Sequence, residues 1–301
     1  MRDCFSKYKY FFPQSNKLLL RYIMFSLKGS SKQAVATVVG GDSDGTDVYL
    51  RKDVPDDVSV DEKYVRLLDR ESKFEMLPDL NDHFCGYICG PAKSGKSTFV
   101  AKLAKKYQKA FPKKKILIFS SLTEDRPLDV LKPTRINTED EDLIDNPIKI
   151  SELREGVHGS LLIFDDYDSI SNKHIKKAVH DLMERVIKTG RLKSSEKLTK
   201  EESREGDIDV LVTLHQINNY RETREILNEC TFVTIFPGSG SVGQTRTFLK
   251  SYMGMQPKEI RKVEEIGKKT RALTISKHCP QFILTDNLIV LNNALLEVPL
   301  N

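Results

Sequence analysis

The stretch Gly90-Pro91-Ala92-Lys93-Ser94-Gly95-Lys96-Ser97-Thr98 decides how the rest of this chain is read. It has glycine at its first and sixth positions and a Lys-Ser pair after the second glycine, the spacing of a phosphate-binding loop. Upstream, Phe84 to Cys89 is a short apolar run suited to a buried strand. Downstream, Phe99, Val100, Leu103, Ala104, Tyr107 and Phe111 recur at helical spacing. A loop between strand and helix is the context this motif needs: its N–H groups converge on phosphate oxygens at the positive end of the helix. Gly90 and Gly95 free the backbone for that turn. In this reading Gly90 to Thr98 cradle ATP, Lys96 neutralises the β and γ phosphates, and the Ser97 hydroxyl enters the shell of Mg2+.

Working outward, four more short apolar runs read as buried parallel strands: Lys115 to Ser120, Ser160 to Phe164, Asp209 to Leu214 and Phe232 to Phe236. Ile175, Ala178, Val179, Leu182, Met183, Val186 and Ile187 form a second helical stripe, with Lys188 in its last turn and Gly190 at its C-terminal cap. Pro257 opens a further helix that Gly267 closes, and Ala272 to Ile275, Gln281 to Leu284 and Leu288 to Leu291 read as a terminal β meander. The fold class is therefore α/β: a P-loop NTPase with a mostly parallel sheet flanked by helices, a small extended N-terminal leader and a C-terminal meander. Residues 81–301 read as the ATPase domain, with the charge-dense stretch 192–207 as an exposed insertion or lid. Residues 29–80 read as a partly β leader, in which Gln33 to Val39 and Asp47 to Leu50 flank a Gly-Gly-Asp-Ser-Asp-Gly hairpin turn. Residues 1–28 are an N-terminal extension, and Met24 offers an alternative start.

Composition narrows the class. With 39% hydrophobic and 30% charged residues the chain is neither disordered nor membrane-like. The apolar run from Leu18 to Leu27 is broken by Arg21 and falls short of the about 20 residues that span a bilayer, so no membrane partner is expected. A net charge of +5 is small for 48 basic residues, so any nucleic-acid surface must come from clustering, as in Lys102, Lys105, Lys106, Lys109, Lys113, Lys114 and Lys115. The bland reading of that cluster is a solvated helix face. Five cysteines without paired spacing point to reduced thiols in a reducing, intracellular compartment.

Leu161-Leu162-Ile163-Phe164-Asp165-Asp166 supplies the second half of the chemistry. A buried strand delivers Asp165 to the edge of the sheet where ligands of such folds bind, as the carboxylate that holds magnesium. Asp166 is placed to orient or deprotonate water, and Asp168 belongs to the turn that follows. Gln216 ends the fourth strand beside the γ-phosphate as a sensor, whereas His215 reads as structural or solvent-facing. Arg185, Arg191, Arg221 and Arg224 are candidates for a finger reaching a neighbouring subunit; Arg191 is favoured because it follows a capped helix.

The set Gly90 to Ser97, Leu161 to Asp166, Thr189-Gly190-Arg191, Leu214-His215-Gln216 and Arg224-Glu225-Ile226-Leu227-Asn228 resembles the poxvirus-type genome-packaging ATPases of large DNA viruses, in the FtsK/HerA branch of P-loop motors. The resemblance runs from about residue 84 to 250. It implies a homo-oligomeric ring, a hexamer, that couples ATP hydrolysis to translocation of double-stranded DNA into a capsid. Virion proteins would be partners, and the host cytoplasm or the virion the location. In that family a His follows the Gly-Arg pair; here Leu192 follows Arg191 and a charged insertion intervenes.

Two other functions use the same residues. A P-loop kinase would use 192–207 as a lid, with Arg191, Lys193, Lys197, Lys200 and Arg204 clamping phosphates. A nucleotide-gated scaffold would bind partners and hydrolyse slowly. A GTPase is disfavoured, because Asn172-Lys173 is followed by His174 and Ile175 and not by the Asp that reads guanine.

Overall fold

The strand that feeds the loop, β6 (Cys85–Cys89), lies in the middle of a sheet of ten strands. In this computed structural model, residues 24–27, 29, 34–51, 63–192, 199–217, 220–277 and 280–299 are described. The other parallel strands are β7 (Lys115–Ser120), β8 (Thr134–Asn137), β9 (Ser160–Phe164), β10 (Asp209–Leu214) and β11 (Phe232–Ile235). They run side by side in the order β11-β6-β10-β9-β7-β8. Beyond β11 the sheet turns antiparallel through β12 (Leu273–Ser276), β13 (Phe282–Thr285) and β14 (Leu288–Leu291), and ends on β4 (Tyr64–Arg66).

Period-two alternation splits the core into two layers. Phe84 and Ile88 face one side, with Ile118, Leu161, Ile163 and Leu211, under α1 (Lys96–Ala110) and its stripe Val100, Leu103, Ala104 and Tyr107. Cys85, Tyr87 and Cys89 face the other, with Leu162, Phe164, Val210 and Val212. Past the one-turn helices α2 (Arg126–Asp129) and α3 (Asp142–Asp145), that layer is covered by α4 (Lys173–Thr189), α6 (Tyr220–Glu229), α7 (Val242–Ser251) and α8 (Pro257–Gly267). Each fully buried aliphatic side chain of the α4 stripe contributes about 1.5–3 kcal/mol. Burial pushes the Cys89 thiol up to about 12 and the Cys230 thiol up to about 11, so these free thiols stay protonated. Cys4 and Cys279 lie outside the described residues.

A second sheet has the order β1-β3-β2-β5, from β1 (Met24–Ser26), β2 (Ala34–Val39), β3 (Asp47–Arg51) and β5 (Lys73–Met76). β2 and β3 form the expected hairpin. Phe25 meets Phe282 edge-on at 5.9 Å, which ties this sheet to the meander. Within the stretch read as the leader, β4 pairs with β14 of the large sheet, and β1 from the stretch read as an extension pairs with β3.

The insertion departs from the sequence reading. Residues 193–198 lie outside the described part, but Lys200–Gly206 is a helix, α5, opened by a reciprocal Thr199–Glu202 cap. It has no apolar stripe, and a buried ion cluster anchors it. Arg204 is 5% exposed and donates to Asp209 Oδ2 at 2.8 Å and to Asp79 O at 2.8 Å. The lysine cluster is likewise divided. Lys102 and Lys106 pair with Glu75, Lys115 pairs with Glu155, and Lys114 is buried against Asp209, whereas Lys102, Lys105, Lys109, Lys113 and Lys115 are all exposed. Among the described residues no helix is long and apolar enough to cross a membrane.

Candidate nucleotide-binding and catalytic site

The loop closes as its spacing requires. Gly95 has φ 114° and caps the start of α1. Gly90 is needed for a different reason from the one read in the sequence: its backbone is unstrained, but a Cβ there would lie 2.7 Å from Ser94 Oγ and 2.8 Å from Phe236 Cδ2. Lys93 also takes a positive φ of 65°. Ala92, Lys93 and Thr98 are exposed, Pro91 and Ser97 half-buried, and Ser94 and Lys96 buried. Lys96 Nζ donates to Gly90 O at 2.9 Å and stands 3.3 Å from Asp166 Oδ1. Two features fit a bound triphosphate. Ser94 Oγ is buried in the cradle without a partner, and the cradle is one that a Cβ would fill.

Across β10, Asp165 is 5% exposed. Ser120 Oγ donates to its Oδ2 (3.2 Å) and Thr213 Oγ1 to its Oδ1 (3.0 Å). Burial, with the adjacent Asp166 charge adding to it, pushes the Asp165 carboxyl up, and the hydroxyl donors pull it part of the way back. A buried carboxylate whose charge is only partly compensated suits a divalent cation, so Asp165 and Ser97 are the residues that would hold magnesium. Asp166 is the turn residue, left-handed at φ 45°, and its N–H donates to Thr213 Oγ1 at 2.7 Å.

Sequence reasoning passed over the partners of Asp166. His215 Nε2 is 3.6 Å from Asp166 Oδ2, while Asp168 takes the His215 backbone N–H at 2.9 Å and the ring Nδ1 at 3.1 Å. Asp168 thus fixes the His215 ring, and the ring stands beside Asp166 at the mouth of the cradle. The hydroxyls that reach the acidic pair sit at or next to a strand's end, Ser120 closing β7 and Thr213 one residue before the end of β10. Replacing His215 with Ala is expected to lower turnover about tenfold with nucleotide affinity unchanged, read from kcat and analogue binding. Equal loss in both would make the ring a mere filler.

Gln216 is exposed beyond the end of β10, its carbonyl accepting from Tyr87 Oη. Arg191 lies at the other edge of the sheet, near the start of β10, 61% exposed and paired with Asp82 at 3.1 Å. It is therefore not part of its own chain's phosphate site. Asn172 caps α4, accepting from His174 N at 2.9 Å. Arg271, which lies 177 positions from its acceptor, crosses the cradle and donates from Nε to Ser94 O at 3.3 Å. No local pattern marks it.

No protein-family model matches the chain. It is 34% identical over 254 residues, 84% of this chain and 92% of the relative, to the uncharacterized protein V3 of Sputnik virophage. The chain belongs to the V3 family. Among solved structures it is similar to the genome packaging NTPase B204 from Sulfolobus turreted icosahedral virus 2 in complex with AMP, at 12% identity and a TM-score of 0.43, covering 68% of this chain and 96% of that one. It is also similar to the pCW3 conjugation coupling protein TcpA, monomer form with ATPγS, at 10% identity and a TM-score of 0.41, covering 87% and 80%. This V3-family chain has the α/β fold read from its sequence, with a large, mostly parallel sheet flanked by helices and the loop Gly90 to Gly95 between β6 and α1.

Proposed function

We propose that the protein binds ATP with magnesium and hydrolyses it, working as a homo-oligomeric ring, a hexamer, that drives double-stranded DNA into a capsid. One observation carries the hydrolytic reading: Asp166 is 3.3 Å from Lys96 Nζ, at the mouth of the cradle and next in sequence to the buried carboxylate Asp165. Lys96 would exchange Gly90 O and Asp166 for β and γ phosphate oxygens. Asp166, released, accepts the proton of the attacking water as the water oxygen bonds to the γ-phosphorus and the bond to ADP breaks. Gln216 orients that water. Magnesium on Ser97 and Asp165 supplies charge neutralisation. Arg191, at the far edge of the sheet, is assigned to a neighbouring subunit's nucleotide, so its role depends on the ring.

The motif resemblance to genome-packaging ATPases supports the motor. Of the residues that a kinase lid would use as its clamp, Arg204 is buried against Asp209 and is not available to phosphate, while Lys193 and Lys197 lie outside the described residues. The test is ATP turnover by the full chain with and without duplex DNA, together with a native mass. A ring-sized mass is expected, with turnover stimulated by DNA and the stimulation falling steeply with salt as counterions are released. A monomer indifferent to DNA removes the motor; no turnover at all removes the ATPase.

A further inference from the structure

Strand order sets which way a nucleotide lies across the cradle. The acidic pair follows β9, two strands from β6 on the β10 side, so the γ-phosphate end of a triphosphate points that way. The nucleoside at the other end is directed toward β11 and β12. On that side a groove runs beside the first two turns of α1, lined by Phe99, Ala272, Thr274, Thr285 and Asp286. Arg271 links cradle and groove, because its Nε donates to Ser94 O at 3.3 Å and its backbone N–H to Asp286 Oδ2 at 3.2 Å. The same carboxylate oxygen accepts from Thr270 Oγ1 at 3.2 Å, so Asp286 is anchored at the rim. Phe99 is half-buried, packed on the core below and bordering the groove.

We propose that this groove is the nucleobase subsite and takes adenine, with Phe99 against the ring face and Asp286 accepting from the exocyclic amino group. Arg271 stands where the ribose and α-phosphate pass. The assignment rests on the reading of the cradle as a triphosphate site. Guanine in the same pose turns a carbonyl toward Asp286, acceptor against acceptor, so the groove selects ATP over GTP.

Binding of MgATP, MgGTP and magnesium tripolyphosphate to the full chain tests this. Ala272→Leu fills the groove, and Phe99→Leu removes the ring while keeping an apolar side chain in the core. Each is expected to weaken ATP about tenfold and tripolyphosphate by less than about twofold. Asp286→Asn is expected to narrow the preference for ATP over GTP about tenfold. If ATP affinity is unchanged in both groove variants, or ATP and tripolyphosphate weaken together, the base does not lie there. A wild-type protein that binds ATP no better than it binds tripolyphosphate places no base in the groove; one that binds neither overturns the cradle itself.

Discussion

Asp166→Asn is expected to lower ATP turnover about 10²- to 10⁴-fold while a non-hydrolysable ATP analogue still binds. The substitution keeps the side chain's shape and the backbone bond to Thr213, but removes the oxygen proposed to take the water proton. It also removes a carboxylate that stands 3.3 Å from Lys96 Nζ, so the lysine is no less available to the triphosphate. The contrast is Lys96→Ala, in which binding itself should fail, because among the described residues Lys96 is the cation that donates to Gly90 O, whereas Arg271 donates to Ser94 O. Steady-state turnover beside calorimetric titration separates the two. Undiminished turnover in Asp166→Asn would remove Asp166 as the base.

Asp209→Ala is expected to cost about 3–5 kcal/mol of stability, read as a lower urea midpoint. Asp209 has no exposed side-chain surface, and four donors converge on it. Arg204 Nη1 lies at 2.8 Å, Tyr107 Oη at 2.7 Å and Lys114 Nζ at 3.5 Å, and Phe84 N–H donates to its other oxygen at 2.9 Å. Truncation strands two cations and a phenol where water does not reach. The deficit should depend on pH. Burial already holds Lys114 down at about 8, below its ordinary 10.5, so in that window the unfolded chain binds the proton and the folded one does not, and stability rises with pH. Without Asp209 the ammonium surrenders its proton at a still lower pH, so the gap between variant and wild type should narrow on the way up to about 8. A gap that is flat with pH would mean that Lys114 is not the group left stranded.

The runs that became β7, β9 and β10 were legible because all-apolar segments between polar turns have few other solutions in a covered sheet. Pro257 and Gly267 bounded α8 for a local steric reason. β8 and α7 were not read: β8 is an edge strand of half-exposed residues, and α7 buries little beyond Phe248 and Leu249. α5 was read as a loop because charge is ordinarily solvated, and nothing near Arg204 in sequence announces that its partners, Asp209 and the carbonyl of Asp79, form one buried cluster.

By itself the sequence determined the strand-loop-helix around Gly90 to Gly95, the place of Asp165 and Asp166 after a buried strand and the layered α/β class, since each depends on residues within one turn or one strand of each other. The tertiary structure alone decided that His215 and Asp168 flank Asp166, that Arg191 lies away from its own cradle, and that Arg271 crosses Ser94. Those contacts join side chains tens to hundreds of positions apart. Their geometry is set by which strands lie next to each other, a collective outcome of packing that no local pattern encodes.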